Sequence, residues 1–290
     1  MAQVLAVPGD VRHEFAFRTS FNHDFGRITG IAATTKGNIV LCDYDKKNLI
    51  LLDPFGTYLN KLEMESQPYD VVITSQNIGY VTQPNTRSVV QIDPDRLIVL
   101  HNATSNNKCT SVICAAAVQN SGRDIESKVP CYLAVNVCGS MFAYPVKNYK
   151  IILNENSGHI FSLTGHPIDP RVFKFHAVEN GLFFSCISGQ NYIKVTNCAL
   201  QGLDGYEQNA KIGTMDTPTD ICSDDNGHIY VSGRDSNNIH RLTQDGKVLD
   251  IPLDIRHGIS QPVALCFNQN YDKLYIATNG GTQVAILNVI

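Results

Sequence analysis

The stretch Pro218–Leu249 decides the fold, and it reads PTDICSDDNGHIYVSGRDSNNIHRLTQDGKVL. Four short runs that alternate apolar and polar residues are separated by turn signals. Two of these signals, Asp225-Asn226-Gly227 and Gln244-Asp245-Gly246, predict tight turns because Asn, Asp and Gly tolerate positive φ. A polar loop at 233–237 separates the two middle runs. The stretch therefore predicts a four-stranded antiparallel sheet.

The same plan recurs along the chain. Residues 30–62, 67–100 and 261–289 repeat the order of apolar run, turn, apolar run and polar loop. Two less regular units follow from residues 110–146 and 176–212, and a polar insertion at 119–129 lengthens the first of them. An interval of about 40–45 residues is typical of four-stranded propeller blades.

The two ends of the chain indicate how the repeats close. The last unit stops at Ile290 after three strands, whereas residues 13–18 alternate like a strand and precede the first complete unit. An N-terminal strand that completes the last blade would remove an exposed sheet edge. We therefore predict an all-β, six-bladed β-propeller formed by residues 13–290, with residues 1–12 as a leader or linker.

Composition restricts the function classes. The chain has 290 residues, a net charge of −4 and a mean hydropathy of −0.10. It contains no apolar run of the ~20 residues that a membrane helix needs, and the acidic balance argues against a general nucleic-acid binder. Its nine cysteines form no CxxC pair. They indicate reduced, buried thiols, and with no signal peptide at the N-terminus we expect a cytoplasmic protein.

The unit at 218–246 resembles the NHL repeat, and residues 30–56 are a second good match, with weaker matches at 68–94 and 262–287. Size and cysteine usage are similar to those of the C-terminal NHL domains of tripartite-motif ubiquitin ligases. That resemblance implies a ring that selects a protein or RNA partner. Ubiquitin ligation, and oligomerisation through a coiled coil, would belong to segments outside this chain, which has no RING or B-box spacing.

Catalytic signatures are absent from the sequence. It contains no HExxH motif, GxSxG elbow or phosphate-binding glycine loop, so we predict no catalytic residue, cofactor or metal and a chain that is not an enzyme. Asp70 and Asp220 open two inner strands. One interpretation makes them ligands of a calcium-dependent propeller hydrolase of the lactonase or esterase type. The other, which we favour, has them hydrogen-bond to backbone amides of adjacent blades.

The leading prediction is a binding module for a protein or peptide, with single-stranded RNA as the second candidate partner. The loops between second and third strands gather on one face with the loops that enter each first strand. Arg and Tyr side chains there suit protein interfaces, phosphates and unstacked bases. The predicted binding face consists of Arg27, Tyr44, Lys46, Lys47, Tyr69, Arg87, Lys108, Lys174, His176, Asn191, Arg234 and Asn237.

Overall fold

The computed structural model describes residues 10–104, 112–119, 131–137, 140–145, 159–160, 172–178, 182–197 and 207–290. The predicted insertion at 119–129 lies, except for Gln119, outside the described residues, and so does Lys108. None of the helices in the described residues is long and apolar enough to cross a membrane.

All described strands belong to four-stranded antiparallel sheets, and in five of the six sheets the strand order follows the chain. The first sheet contains β2 (Ile28–Ala33), β3 (Ile39–Asp43), β4 (Asn48–Leu52) and β5 (Tyr58–Glu63). The second contains β6 (Asp70–Ile73), β7 (Gly79–Gln83), β8 (Ser88–Asp93) and β9 (Ile98–Thr104). The third sheet contains β10 (Val112–Gln119), β11 (Cys131–Val137), β12 (Ser140–Pro145) and β13 (His159–Ile160). The fourth contains β14 (Val172–Ala177), β15 (Leu182–Ile187), β16 (Tyr192–Asn197) and β17 (Glu207–Lys211).

The remaining two sheets complete the chain. One contains β18 (Pro218–Ser223), β19 (Ile229–Gly233), β20 (Asn238–Leu242) and β21 (Val248–Asp254). The other pairs β22 (Ala264–Phe267), β23 (Lys273–Thr278) and β24 (Gln283–Val289) with the N-terminal β1 (Phe15–Phe21). Single turns of 3-10 helix occur at Pro84–Thr86, Ile255–His257 and Asn279–Gly281.

The prediction of an all-β propeller with four-stranded antiparallel blades is confirmed. The described residues form six such sheets. Five blades are described largely with their side chains, whereas the sheet β10–β13 is described mainly by its strand pairing. The first strands of successive sheets contact one another around the central axis, and β22 contacts β2.

Burial explains the sequence pattern of each blade. The middle strands are covered on both faces by neighbouring blades, so β3 and β4 read as continuous apolar runs whose residues are almost all buried. The outer strand β5 is exposed along most of its length and carries polar residues. Apolar clusters lie between consecutive blades: one joins Ile31 and Leu41 of the β2–β5 blade to Tyr275 and Ile286 of the last blade. Burying both faces of each sheet supplies the main stabilisation.

The N-terminal strand closes the last blade, as the sequence predicts, although it begins two residues later than expected. Phe15 pairs with Val289 and Phe21 pairs with Val284. The backbone of Glu14 exchanges two hydrogen bonds with that of Ile290. The first and last segments of the described chain therefore share one sheet, and the outer edge of β24 is covered.

Side chains of the N-terminal segment also anchor it to the blade β18–β21. His228 Nδ1 lies 2.9 Å from Asp224 Oδ2, and its Nε2 lies 2.6 Å from Asp10 Oδ1. Asp224 is wholly buried and also accepts hydrogen bonds from the backbone N–H groups of Asn226 and His228 and from the Tyr230 hydroxyl. His13 and Asp225 lie beside it and, with Asp224, form a group of potential metal ligands. Because the Asp224 oxygens already accept four hydrogen bonds, we interpret the group as an anchor.

Phe15 should contribute to stability through this closure. Its ring lies 5.8 Å from that of Tyr230 and 6.2 Å from that of Phe267, centre to centre. Phe15→Ala should lower the free energy of unfolding by roughly 2 kcal/mol, because it removes a half-buried ring from this cluster. Phe17→Ala is the control, since Phe17 lies on the same strand and is 52% exposed. Equal losses in urea unfolding would contradict this role.

Candidate functional site

The first strands place one residue each beside the axis of the propeller. Asp70, Lys174 and Asp220 occupy corresponding positions, as do Gly30, Cys114 and Ala264 in the other sheets, judged by their pairing with the second strands. In β2, β10, β14 and β18 the pairing register shifts immediately before this position. Such a bulge redirects the side chain that follows it. Lys174 and Asp220 follow such a bulge, whereas Asp70 opens β6 without one.

Asp70 and Asp220 tie their own blades to the next ones. Asp70 Oδ1 accepts the N–H of Val71 at 3.0 Å, and its Oδ2 accepts the N–H of Ala115 in the following blade at 3.2 Å. Asp220 repeats the arrangement with Ile221 at 2.9 Å and with Leu265 of the following blade at 2.9 Å. The favoured interpretation of these two carboxylates, as links to the amides of adjacent blades, is therefore confirmed.

Lys174 lies between the two carboxylates. Its Nζ donates a hydrogen bond to Asp70 Oδ1 and lies 3.7 Å from Asp220 Oδ1. The residue is 3% exposed, so the prediction that Lys174 belongs to a surface binding face is wrong. Burial disfavours its charged form, but the carboxylates of Asp220 and Asp70 outweigh that effect and raise the pKa of Lys174 above its ordinary value. The ammonium group is therefore permanently charged.

The three groups carry one positive and up to two negative charges in a buried space. Burial raises the pKa of Asp220 to about 6, with Lys174 acting in the opposite direction and Asp70 in the same one. A carboxyl group with a pKa near neutrality can exchange protons at physiological pH. Its side chain keeps 12% of its surface exposed, so a small part of it reaches the axial space.

Tyr69 directly precedes Asp70, and its ring lies beside Lys174. The ring centre lies 6.0 Å from Lys174 Nζ. Burial, together with smaller effects of nearby charged groups, raises the pKa of the Tyr69 hydroxyl above its ordinary value, so it stays protonated. The corresponding positions in two other blades are Thr29 and Thr219, whose hydroxyls donate to the carbonyls of Tyr69 and Pro262 in the next blade. Tyr69 thus departs from a structural pattern and places a phenol at the axis.

A calcium ion between Asp70 and Asp220 does not fit these residues. The Lys174 ammonium already lies there and supplies the compensating charge. The other axial positions, Gly30, Cys114 and Ala264, offer no carboxylate. Calcium requires six to eight oxygen ligands. The described residues at the axis therefore do not form a calcium site.

The remaining predicted face residues lie in different environments. Arg27, Tyr44 and Tyr69 are brought together: the guanidinium carbon of Arg27 lies 4.8 Å from the centre of the Tyr44 ring, and that ring meets Tyr69 edge-on at 6.2 Å. Lys46 binds Asp24 with an Nζ–Oδ2 distance of 2.7 Å, and Lys47 is exposed in the same loop. Arg87 adopts a left-handed conformation beside the 3-10 turn Pro84–Thr86.

Four others have local structural roles. Arg234 forms a two-pronged ion pair with Asp235 at 2.8 and 3.1 Å. The Oδ1 atoms of Asn191 and Asn237 accept the N–H groups of Thr217 and Gln261 in the following segments, at 3.3 and 2.8 Å. His176 lies on β14, where its Nε2 is 2.9 Å from Ser223 Oγ, and burial lowers its pKa to about 4. It is a half-buried, neutral group on a strand and not a surface cation in a loop, which corrects its assignment to the face.

Comparisons with known proteins support the fold, and the similar structures are named as enzymes. No family model matches the sequence, and no curated protein matches it. Among solved structures, the chain resembles virginiamycin B lyase from Staphylococcus aureus, with a TM-score of 0.63 and 13% identity over 96% of this chain and 100% of that one. A streptogramin B lyase gives a TM-score of 0.63 and 12% identity, over 95% of this chain and 98% of that one. A gluconolactonase from Xanthomonas campestris gives a TM-score of 0.69 and 11% identity, over 96% of this chain and 94% of that one.

Two predictions are corrected by these comparisons. The neighbours are lyases and gluconolactonases, and none of them supports a tripartite-motif NHL domain. The prediction that the chain is not an enzyme is contradicted, because propellers that share its fold over nearly its whole length are named as enzymes. At 11–14% identity the likeness shows a β-propeller fold. A reaction must be argued from the residues of this chain.

Lys174→Met should strongly destabilise the protein. It would leave two buried carboxylates without their cation, and breaking a buried pair in this way costs about 3–5 kcal/mol. The measurement is chemical unfolding at pH 7. Lys46→Met is the matched control, because its partner Asp24 is exposed and its removal should change stability little. A loss in Lys174→Met no greater than in the control would contradict the axial ion pair.

Asp220 should make stability fall with rising pH. Its folded pKa of about 6 exceeds its ordinary value of 3.8, so its favourable contribution is complete below pH 4 and is lost as pH rises through 6. The difference in unfolding free energy between wild type and Asp220→Asn should decline over that interval by up to about 1.4 kcal/mol per pH unit. Taking this difference cancels the opposite contribution of His176 and His240, whose pKa values are lowered by burial. A flat difference would contradict the raised pKa.

Proposed function

We propose that the chain is a metal-independent propeller hydrolase that acts on an ester or a lactone at the axis. The observation that carries the proposal is the juxtaposition of Asp220, Lys174 and Tyr69: a carboxyl group with a pKa near 6, a permanently charged ammonium and a protonated phenol. A base beside two donors is the combination that acyl hydrolysis requires. The likeness in fold to gluconolactonases supports the choice of substrate class.

The proposed reaction assigns one role to each group. The Asp220 carboxylate removes a proton from water as the water oxygen attacks the substrate carbonyl carbon. Lys174 and Tyr69 stabilise the negative charge that develops on the carbonyl oxygen. When the bond from that carbon to the leaving oxygen breaks, the leaving oxygen receives the proton from Asp220. One ester bond and one water give an acid and an alcohol, and the carboxylate is regenerated.

Asp70 has a positioning role in this proposal. Its carboxylate makes the closer contact with Lys174, and its links to Val71 and Ala115 hold it in place. The cation is thereby held at the axis, and Asp220 makes the looser contact at 3.7 Å. The looser contact leaves Asp220 free to gain and lose a proton. Two carboxylates in unequal environments can take different roles in one site.

The test is turnover of phenyl acetate and of gluconolactone by the purified chain. We expect kcat/KM to rise with pH through about 6, because Asp220 must lose its proton to act as a base. Asp220→Asn should lose about 10²–10⁴-fold in rate together with that pH dependence. Tyr69→Phe should lower kcat about tenfold or more, since it removes one donor to the oxyanion.

Controls separate this mechanism from its alternatives. Asp225→Asn changes a half-exposed carboxylate in a turn outside the site and should retain full turnover. A chelator should leave turnover unchanged, because Lys174 supplies the positive charge. The proposal fails if neither ester nor lactone is hydrolysed, or if Asp220→Asn keeps the rate and pH profile of the wild type. Loss of turnover with chelator would indicate a metal-dependent site elsewhere.

A further inference from the structure

A row of four side chains leads from the protein surface to the axis. Arg27 is exposed, Tyr44 and Tyr69 are half-buried, and Lys174 is buried. Consecutive members are in contact: Arg27 stacks on Tyr44 at 4.8 Å, Tyr44 meets Tyr69 edge-on at 6.2 Å, and Lys174 Nζ lies 6.0 Å from the Tyr69 ring centre. Two cations therefore end the row, with two aromatic rings between them.

The outer part of this row is held rigidly by a buried carboxylate. Asp43 has no exposed surface, and its oxygens accept the N–H of Gly26 at 2.9 Å and the N–H of Lys46 at 3.1 Å. A side chain at position 26 would place its Cβ 2.5 Å from Asp43 Oδ1, so glycine is required there. The Tyr44 N–H also donates to the Arg27 carbonyl at 2.9 Å. Arg27 and Tyr44 are thus set in place before any ligand arrives, which lowers the entropic cost of binding.

Charge and shape define the ligand that suits this row. A guanidinium group binds a carboxylate through two parallel hydrogen bonds. Tyrosine rings beside it favour a flat, conjugated group through stacking and edge contacts. The present partner of Arg27 is Asp45, with an Nη2–Oδ1 distance of 3.4 Å, and both side chains are about half exposed. Such a pair is weak, so a ligand carboxylate can take the place of Asp45.

We infer that Arg27, Tyr44 and Tyr69 form an outer subsite for an aromatic carboxylate. This inference rests on the proposed function and names its substrate class: an aromatic ester that carries an anionic carboxylate and whose scissile bond reaches Lys174 and Asp220. The carboxylate binds Arg27, and the aromatic ring lies against the tyrosines. Arg27 and Tyr44 have no role in the proposed reaction, so binding that depends on them is measured without turnover.

The test uses benzoate and cyclohexanecarboxylate as probes, titrated into the full chain by ligand-observed NMR. Benzoate should bind more tightly than its saturated counterpart. Arg27→Gln should weaken both about tenfold because it removes the two-pronged contact, whereas Tyr44→Leu should weaken benzoate alone, about fivefold. Asp45→Asn should tighten both, about two- to fivefold, because it removes the competing carboxylate.

Arg96→Gln is the matched control. Arg96 is an exposed arginine beside Asp93, in the turn at the far end of β8, away from the loops that carry the subsite. The Arg96→Gln variant should bind both probes with the affinity of the wild type. The inference is overturned if benzoate shows no binding at millimolar concentration, or if Arg27→Gln and Arg96→Gln behave alike.

The outcomes distinguish the inference from the proposed function. Binding of benzoate that depends on Arg27 and Tyr44, with no ester hydrolysis, would retain the subsite and reject the hydrolase. Hydrolysis of phenyl acetate that is unaffected in Arg27→Gln supports only the hydrolase. For an aromatic ester that carries a carboxylate, such as 4-acetoxybenzoate, equal kcat/KM in wild type and Arg27→Gln would then reject the subsite.

Discussion

The ion pair between the Lys174 ammonium and the carboxylates of Asp70 and Asp220 is the interaction on which the centre of this propeller depends. Neither carboxylate could remain charged there without that cation, because burial of an uncompensated charge is costly. Each carboxylate also accepts an N–H from the following blade. The same groups therefore neutralise the axis and join neighbouring blades. Stability and chemistry are coupled at this point of the molecule.

That coupling sets the protonation states that the proposed reaction uses. Burial acts on Lys174, Asp220 and Tyr69 alike, but their neighbours differ. Lys174 faces two carboxylates and keeps its proton, whereas Asp220 makes the looser contact with the cation and has a pKa near 6. Tyr69 stays a phenol. One buried environment thus yields a base and two donors without any metal.

Departures from the repeat mark the site. In the most regular blades the axial strand carries a threonine that donates to the next blade, as Thr29 and Thr219 do. Tyr69 occupies that position in place of a threonine, and Lys174 occupies a position that is aspartate in two other blades. A repeat protein can give up a structural residue where its neighbours hold the ring together. The exceptional residues, and not the exposed loops, are therefore the ones on which the proposed function rests.

Much of the predicted binding face has a structural role that loop position alone could not reveal. Asn191 and Asn237 accept backbone N–H groups of the next segment, and Arg234 is paired with Asp235. Arg27, Tyr44 and Tyr69 were identified from the sequence, but their stacking was not. Polar residues in blade loops can satisfy the backbone instead of binding a ligand, because buried N–H groups need partners. Only the tertiary structure shows which of these residues pair with the backbone and which are left to bind a ligand.

The sequence by itself determined the propeller, its turns and the closing strand, because strand alternation, Asn-Gly and Asp-Gly turns and apolar middle strands are local signals. The turn at Gly227, with a φ of 80°, and the pairing of β1 with β24 are examples. Tertiary structure alone decided which residues meet at the axis. The sequence interpretation begins the β14–β17 blade at His176, four residues after β14 begins at Val172, and so leaves Lys174 outside the blade. A bulge before Lys174 turns its side chain inward, and such a bulge depends on pairing with β15 that the alternation of a single strand does not encode.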